Sequence, residues 1–246
     1  MQQDDVTLAP DTLDLLRRVS TATITTQLIK NHGLRSRSIR GVRPVDPARA
    51  KFVGPAYTLR YVPAREDLTA GGKRPLKENP AQTAIDAIPT GSVMVIDMNG
   101  DTDVGALGDI LIARLVFRGA AGVVADGGMR DIDPVRQMSL PVFCRGHGAP
   151  PSFSTLLVAE AQGVIGCGGV LVIPGDIVVA DADGVVVIPR YLADQVARDG
   201  DDQERMEAWV RRKVDAGAPV GEVYPPNDRY LVEYKAWVAA GRPEGV

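Results

Sequence analysis

The residues best placed to do chemistry lie between Gly105 and Asp131, in the run GALGDILIARLVFRGAAGVVADGGMRD. Gly108, Asp109, Ile110 and Leu111 open an apolar stretch with helical spacing. The first backbone N–H groups of such a helix lack internal partners and sit at the positive end of its dipole, so they form a seat for a small carboxylate. Further on, the apolar run GVVADG exits into a loop that presents Arg130 and Asp131 side by side. If that run is a strand of an open α/β sheet, the pair stands at its carboxyl end, where such sheets bind ligands. Arginine offers a planar fork to an oxyanion or carboxylate, and aspartate offers a hard oxygen to Mg²⁺ or a similar cation. Taken alone, the two residues also read as an ordinary ion pair in a surface turn.

Other chemistries find less support. Cys144, His147, Cys167 and His32 could supply zinc ligands, but their spacing matches no paired-cysteine pattern, and the two cysteines read as small core residues. Asp181, Asp183 and Gly184 resemble part of a calcium loop, yet Asp-Gly between two β-branched runs already suffices for a hairpin turn. There is no G-x-G-x-x-G after a strand, no Walker lysine loop, no G-x-S-x-G elbow and no His-Glu-x-x-His helix. All six lysines (Lys30, Lys51, Lys73, Lys77, Lys213 and Lys235) sit in polar or boundary contexts, which disfavours a Schiff-base mechanism that needs a desolvated amine.

The elements that must position Arg130 and Asp131 follow from periodicity and turn residues. Residues 12 to 32 predict two short helices, with Pro10 and Asp11 at the entry and Gly33 as the stop. Arg35, Arg37, Arg40, Arg43 and Arg49 fall in a segment that reads as a solvated loop. VGPAYTLRYV predicts a strand, Pro63 to Pro80 an extended loop, and Gln82 to Ile88 a short helix. SVMVID, GVVADGG and PVFC predict buried strands, separated by a helix from near Gly108 to Gly119 and a shorter one in DPVRQMS. That alternation implies a parallel or mixed sheet with crossover helices. Between Gly163 and Pro189, Pro174-Gly175 and Asp183-Gly184 punctuate several antiparallel strands. A charged helix spans about Leu192 to Ala216, and the tail beyond it carries Tyr234 and Trp237, whose apolar rings need a surface to cover. The expectation is that a neighbouring subunit provides it.

The 246 residues suit one domain, and the apolar and charged fractions of 45% and 24% are those of a globular protein. A net charge of -3 and a pI near 5.5 argue against a broad nucleic-acid surface. No stretch approaches a membrane span. Asp4 and Asp5 stand where a secretory signal would be basic, and two cysteines are too few for a disulfide framework, so the expected location is cytoplasmic.

The chain resembles the RraA-like family, which includes metal-dependent 4-hydroxy-4-methyl-2-oxoglutarate/4-carboxy-4-hydroxy-2-oxoadipate aldolases and regulators of ribonuclease E. The likeness covers roughly residues 20 to 217, through TATITTQL, VGPAYTL, GDIL, Asp126-Gly127, Gly128-Met129-Arg130-Asp131 and PGDIVVADADGVVVIP. The resemblance implies one compact α/β sandwich of the swivelling phosphohistidine-domain type, assembled as a homotrimer or homohexamer with sites between subunits. It implies that the backbone amides of Gly108, Asp109, Ile110 and Leu111 hold a pyruvyl carboxylate, that Arg130 contacts the keto and carboxylate oxygens, that Asp131 ligates Mg²⁺ or Mn²⁺, and that Asp109 lies near the metal's water shell. In aldolase members a carboxylate of the neighbouring subunit's C-terminal helix joins that shell. Here ERMEAWVRRKVDAG offers Glu207 for this role, with Glu204 as the rival. Thr25-Thr26 replace a Ser-Asp common in the family, and the loop from Arg65 to Asn79 and the tail after Gly221 are longer than usual. The implied activity is retro-aldol cleavage or β-decarboxylation of a 2-oxo acid. A hydrolase of a diketo sugar acid using the same groups, and a non-catalytic regulator that binds a ribonuclease, are the alternatives.

Overall fold

The computed structural model of the chain describes residues 7–68 and 80–241. Two helices open it, α1 (Thr12–Leu16) and α2 (Thr21–His32). The Ser20 hydroxyl caps α2 by accepting from the Thr23 amide, and Gly33 closes it in the left-handed conformation at φ 68°. The arginine-rich segment that follows is loop apart from two short strands, β1 (Ser38–Ile39) and β2 (Arg43–Pro44), and one 3-10 turn. Next come β3 (Phe52–Pro63), α3 (Pro80–Ala87), β4 (Val93–Asp97), α4 (Asp109–Phe117), β5 (Gly122–Met129), α5 (Ile132–Gln137) and β6 (Val142–His147).

Strands β3, β4, β5 and β6 pair in parallel, as the alternation of strands and helices predicts. Val93 to Ile96 and all eight residues of β5 are buried, the signature of parallel strands covered on both faces. The chain then adds β7 (Leu156–Ala161), a small ribbon of β8 (Ile165–Cys167) and β9 (Val170–Val172), and a hairpin of β10 (Ile177–Asp181) and β11 (Gly184–Ile188). Among the described residues the main sheet has nine strands, in the order β1-β11-β10-β3-β4-β5-β6-β2, with β7 pairing the far end of β3. The fold is therefore mixed α/β.

Strand β3 is the shared element. Its start pairs antiparallel with β10, its middle parallel with β4, and its end antiparallel with β7. Helices α3, α4 and α5 cover one face through Ile85, Ile112, Leu115 and Val135. The β8–β9 ribbon covers the other, with Phe52 and Phe143 edge to face at 5.8 Å. A third core lies where α1, α2 and the long helix α6 (Ala193–Asp215) pack on β10 and β11.

The structure departs from the sequence reading in three places. No element is expected between His147 and Gly163, yet β7 forms there. LLVAEA lacks alternation and is rich in helix formers, so its strand conformation comes from pairing with β3 rather than from its own propensity. The segment from Pro63 onward begins as the last residue of β3 and includes a 3-10 turn at Glu66–Leu68, while residues 69–79 lie outside the described residues. Finally, Tyr234 and Trp237 find cover inside their own chain. The tail folds into α7 (Val220–Val223) and α8 (Asp228–Ala239), which close over the fully buried Trp209 of α6. Tyr234 meets the Trp209 ring at 5.4 Å, and the Arg212 guanidinium lies 4.7 Å from the Trp237 ring centre.

Candidate active site

Strand β5 delivers Arg130 and Asp131 at its carboxyl end. Asp131 adopts the left-handed conformation (φ 54°, ψ 44°), which turns the chain directly into α5. Against this corner runs the loop from β4 to α4, stitched on by the Ala106 amide donating to Gly128 O at 2.8 Å and the Arg130 amide donating to Leu107 O at 3.1 Å. The approach leaves no room for a side chain at Gly105 or at Gly108. A Cβ at Gly105 would lie 2.7 Å from the Arg130 Cβ, and one at Gly108 would collide with the Asp131 carboxylate. Gly108 is the N-cap of α4, with extended backbone and no capping side chain. The amides of the first turn thus face the same corner as Arg130 and Asp131.

These groups line a cleft of about 600 Å³ that contains Gly108, Asp109, Ile110, Leu111, Arg130 and Asp131. The sequence reading and the structure agree on this gathering. Arg130 Nε donates to Asp131 Oδ2 at 3.2 Å, with both side chains about a third exposed (36% and 35%). A pair so accessible adds little stability, about 0–1 kcal/mol, so its effect is to orient the two groups. Asp109 turns back on its own helix, where its Oδ1 accepts from the Ile110 amide at 2.8 Å. The chain's own carboxylate thus occupies one donor of the proposed anion seat.

A buried acid underlies the corner. Asp126 is 4% exposed and accepts from the Met98 amide at 2.7 Å and the Gly168 amide at 2.9 Å. Burial pushes its carboxyl above the ordinary value, although the two N–H groups oppose the shift. It ties β5 to the start of the β4–α4 loop and to the β8–β9 ribbon. Its one visible signal is an acid inside an apolar strand. Tyr61 of β3 supports the loop from below, its hydroxyl donating to Ala106 O at 3.4 Å, and burial pushes its phenol up to about 12.

The two candidate carboxylates of α6 have different tasks. Glu204 accepts from the Ser20 amide at 3.0 Å and so anchors the start of α2. Burial would raise its carboxyl, but hydrogen bonds from Ser20 and Thr23 outweigh that and hold it below the usual value. Glu207 accepts from Gln203 Nε2 at 2.8 Å and from the Tyr224 hydroxyl at 3.3 Å, and it lines a separate groove of about 980 Å³ between α2, α6 and the tail. Within one chain neither reaches the Arg130 cleft.

The remaining candidates resolve as structural. Cys144 and Cys167 are free and buried in different cores, and His147 is exposed. Asp181 accepts from the Thr21 amide at 2.7 Å and its hydroxyl at 2.6 Å, fixing α2 to the β10–β11 turn. Among the described residues no three His, Cys, Asp or Glu side chains gather as a metal cage. A lone accessible carboxylate still suits Mg²⁺, which binds through one or two carboxylates and keeps several waters.

The arrangement defines a mixed α/β protein with a cleft at the carboxyl ends of parallel strands, lined by Arg130, Asp131 and the start of α4. A family model described as RraA-like, Aldolase/RraA, matches residues 18–187, and the chain belongs to that family. It is 36% identical over 169 residues to a protein of Halalkalibacterium halodurans named "Putative 4-hydroxy-4-methyl-2-oxoglutarate aldolase", covering 64% of this chain and 71% of that one. It is 37% identical over 140 residues to protein DlpA of Legionella pneumophila, a match that covers 57% of this chain but only 22% of DlpA. The crystal structure of Streptomyces coelicolor RraAS2, described as an unusual member of the RNase ES inhibitor RraA protein family, superposes with a TM-score of 0.74 at 34% identity, covering 82% of this chain and 96% of that one. Among the described residues no helix is long and apolar enough to cross a membrane.

Proposed function

We propose that the chain is a lyase dependent on a divalent metal, which cleaves a 2-oxo acid by retro-aldol release of pyruvate or by decarboxylation of an oxaloacetate-type substrate. The observation that carries this reading is the meeting, in one cleft, of the α4 amino terminus with Arg130 and Asp131. The aldolase name of the H. halodurans relative supports it.

The substrate's carboxylate binds the first-turn amides of α4 and displaces the Asp109 carboxylate from the Ile110 amide. This aligns the keto oxygen with the Arg130 guanidinium. As the C3–C4 bond breaks, its electron pair moves into the pyruvyl fragment and negative charge collects on that oxygen. One such fixed donor is worth about 3–4 kcal/mol to the transition state. Asp131 would hold Mg²⁺ or Mn²⁺, which when bound would polarise the 2-oxo carboxylate. Asp109, released from its helix, moves a proton between the substrate hydroxyl and water. In a homotrimer or homohexamer, Glu207 of a neighbouring copy would supply the remaining carboxylate.

The test is pyruvate release from oxaloacetate, coupled to lactate dehydrogenase, with Mg²⁺ and with a chelator, after subtracting the reaction of Mg²⁺ alone. Turnover that needs both protein and metal is expected. Absence of turnover in a folded sample with both oxaloacetate and 4-hydroxy-4-methyl-2-oxoglutarate overturns the reading and favours the regulatory one, which the likeness to RraAS2 supports. Product identification separates cleavage from hydrolysis of a diketo acid.

A further inference from the structure

Besides the carboxylate seat, the same cleft has an apolar wall, built from Phe153 in the turn before β7 and from Leu156, Leu157 and Val158 of β7 itself. Ser152, which precedes Phe153, lines the cleft as well, and its hydroxyl meets the phenol of Tyr61, a side chain only 4% exposed. The place of Ser152 relative to Arg130 follows from the backbone. Gly105 bridges Gly128 on one side and Pro151 on the other, both in parallel, and the Ser152 amide donates to Gly105 O at 3.1 Å. The end of β5, the loop at Gly105 and the segment at Ser152 thus lie as three adjacent extended strands. At one strand spacing each, the backbones of Arg130 and Ser152 stand about 10 Å apart. The Arg130 side chain spans part of that distance, and a five-carbon acid held by its keto end spans the rest.

The phenol has a single proton to give. A carbonyl can only accept, so Ala106 O takes that proton and the Ser152 hydroxyl is the donor to Tyr61. At 3.4 Å the bond to Ala106 O is long against the usual ~2.5–3.0 Å for O–H···O, so the phenol proton is weakly held where it is. Both hydroxyls are free to turn. When they do, Tyr61 donates to Ser152 and Ser152 donates into the cleft. With burial pushing it up to about 12, the phenol keeps its proton at neutral pH.

We propose that Ser152 binds a second carboxylate of the substrate, at C5 of the 2-oxo acid, and that Tyr61 is a positioning residue that holds Ser152 in its donating orientation. The proposal rests on the lyase reading above and names a residue that sets its specificity. An ionised acceptor offsets the cost of turning the two hydroxyls, because a hydrogen bond to a charged group is about twice as strong as a neutral one.

The test uses 2-oxoglutarate and 2-oxopentanoate, which differ only at C5, a carboxylate in one and a methyl group in the other. Neither has a C4 hydroxyl, so neither is cleaved. Each is titrated as an inhibitor of whichever of oxaloacetate and 4-hydroxy-4-methyl-2-oxoglutarate the protein turns over. Ser152→Ala should weaken 2-oxoglutarate by about tenfold or more, the effect of one hydrogen bond to a charged group, and leave 2-oxopentanoate unchanged. Ser152→Thr, which keeps the hydroxyl, should retain most of the affinity. Tyr61→Phe should weaken 2-oxoglutarate by about threefold to tenfold on its own and not at all in the Ser152→Ala background, a coupling that a merely structural phenol would not show. Equal weakening of both inhibitors by Ser152→Ala, or of neither, overturns this inference alone. Failure of the unaltered protein to turn over either substrate overturns the lyase reading and this inference with it.

Discussion

The carboxylate of Asp131 fills the space that a side chain on Gly108 would need. Gly108 has φ -112°, a conformation open to any residue, so the requirement for glycine is one of contact and not of backbone geometry. Gly108→Ala should therefore fold normally but push Asp131 out of place. Mg²⁺ affinity, read by calorimetry, should fall by about tenfold to a hundredfold, as when a supporting group around a metal site is lost. Unchanged affinity would mean that Asp131 does not hold the ion.

Arg130→Ala should lower pyruvate-releasing turnover by about a hundredfold to a thousandfold. Arg130→Lys should recover part of that loss, since it keeps the charge and loses the fork. Melting temperatures should barely move, because the accessible pair with Asp131 carries little stability. Full activity in Arg130→Ala would remove the arginine from the mechanism.

Asp126→Asn should destabilise the fold by about 1–3 kcal/mol in urea, because an amide cannot accept from both Met98 and Gly168. The pH dependence has a definite sign. Burial raises the folded carboxyl above its ordinary 3.8, so this group's contribution is fully present below that value and declines as pH rises through the folded value. The variant should lack that decline.

Glu204 behaves in the opposite sense. Its folded carboxyl lies below the ordinary 4.5, so its contribution is present above 4.5 and lost as pH falls through the folded value. Glu204→Gln should cost about 1 kcal/mol at neutral pH, the size of one such hydrogen bond, and the two stability curves should converge in acid. Parallel curves would show that Glu204 does not anchor Ser20.

The legible parts of this molecule are those whose signals are local. Gly108 and Gly119 bracket α4 in the sequence as they do in space, and the uninterrupted apolar runs of β4 and β5 announce strands buried on both faces. The seat, Arg130 and Asp131 could be placed together because one strand and one helix suffice to do it. Strand β7 was hidden because only β3, distant in sequence, makes it a strand, and with it went the apolar wall. The roles of Asp126 and Glu204 were equally out of sight, since the former depends on Gly168 and the latter on Ser20. The cover over Trp209 needs the turn of the tail back onto α6, which no periodicity within α8 encodes.

The three-way pairing of β3 also fixes an order of assembly during synthesis. The seat, Arg130 and Asp131 emerge from the ribosome before Phe153 to Val158 do, and before β10 can reach the other end of β3. A nascent chain emerged only to about residue 150 would hold the charged half of its cleft without the greasy half, and would leave the edge of its longest strand opposite β4 open to stray partners. Ribosome-stalled chains emerged to that point should cling to chaperones, and release should come only once the β10–β11 hairpin has emerged.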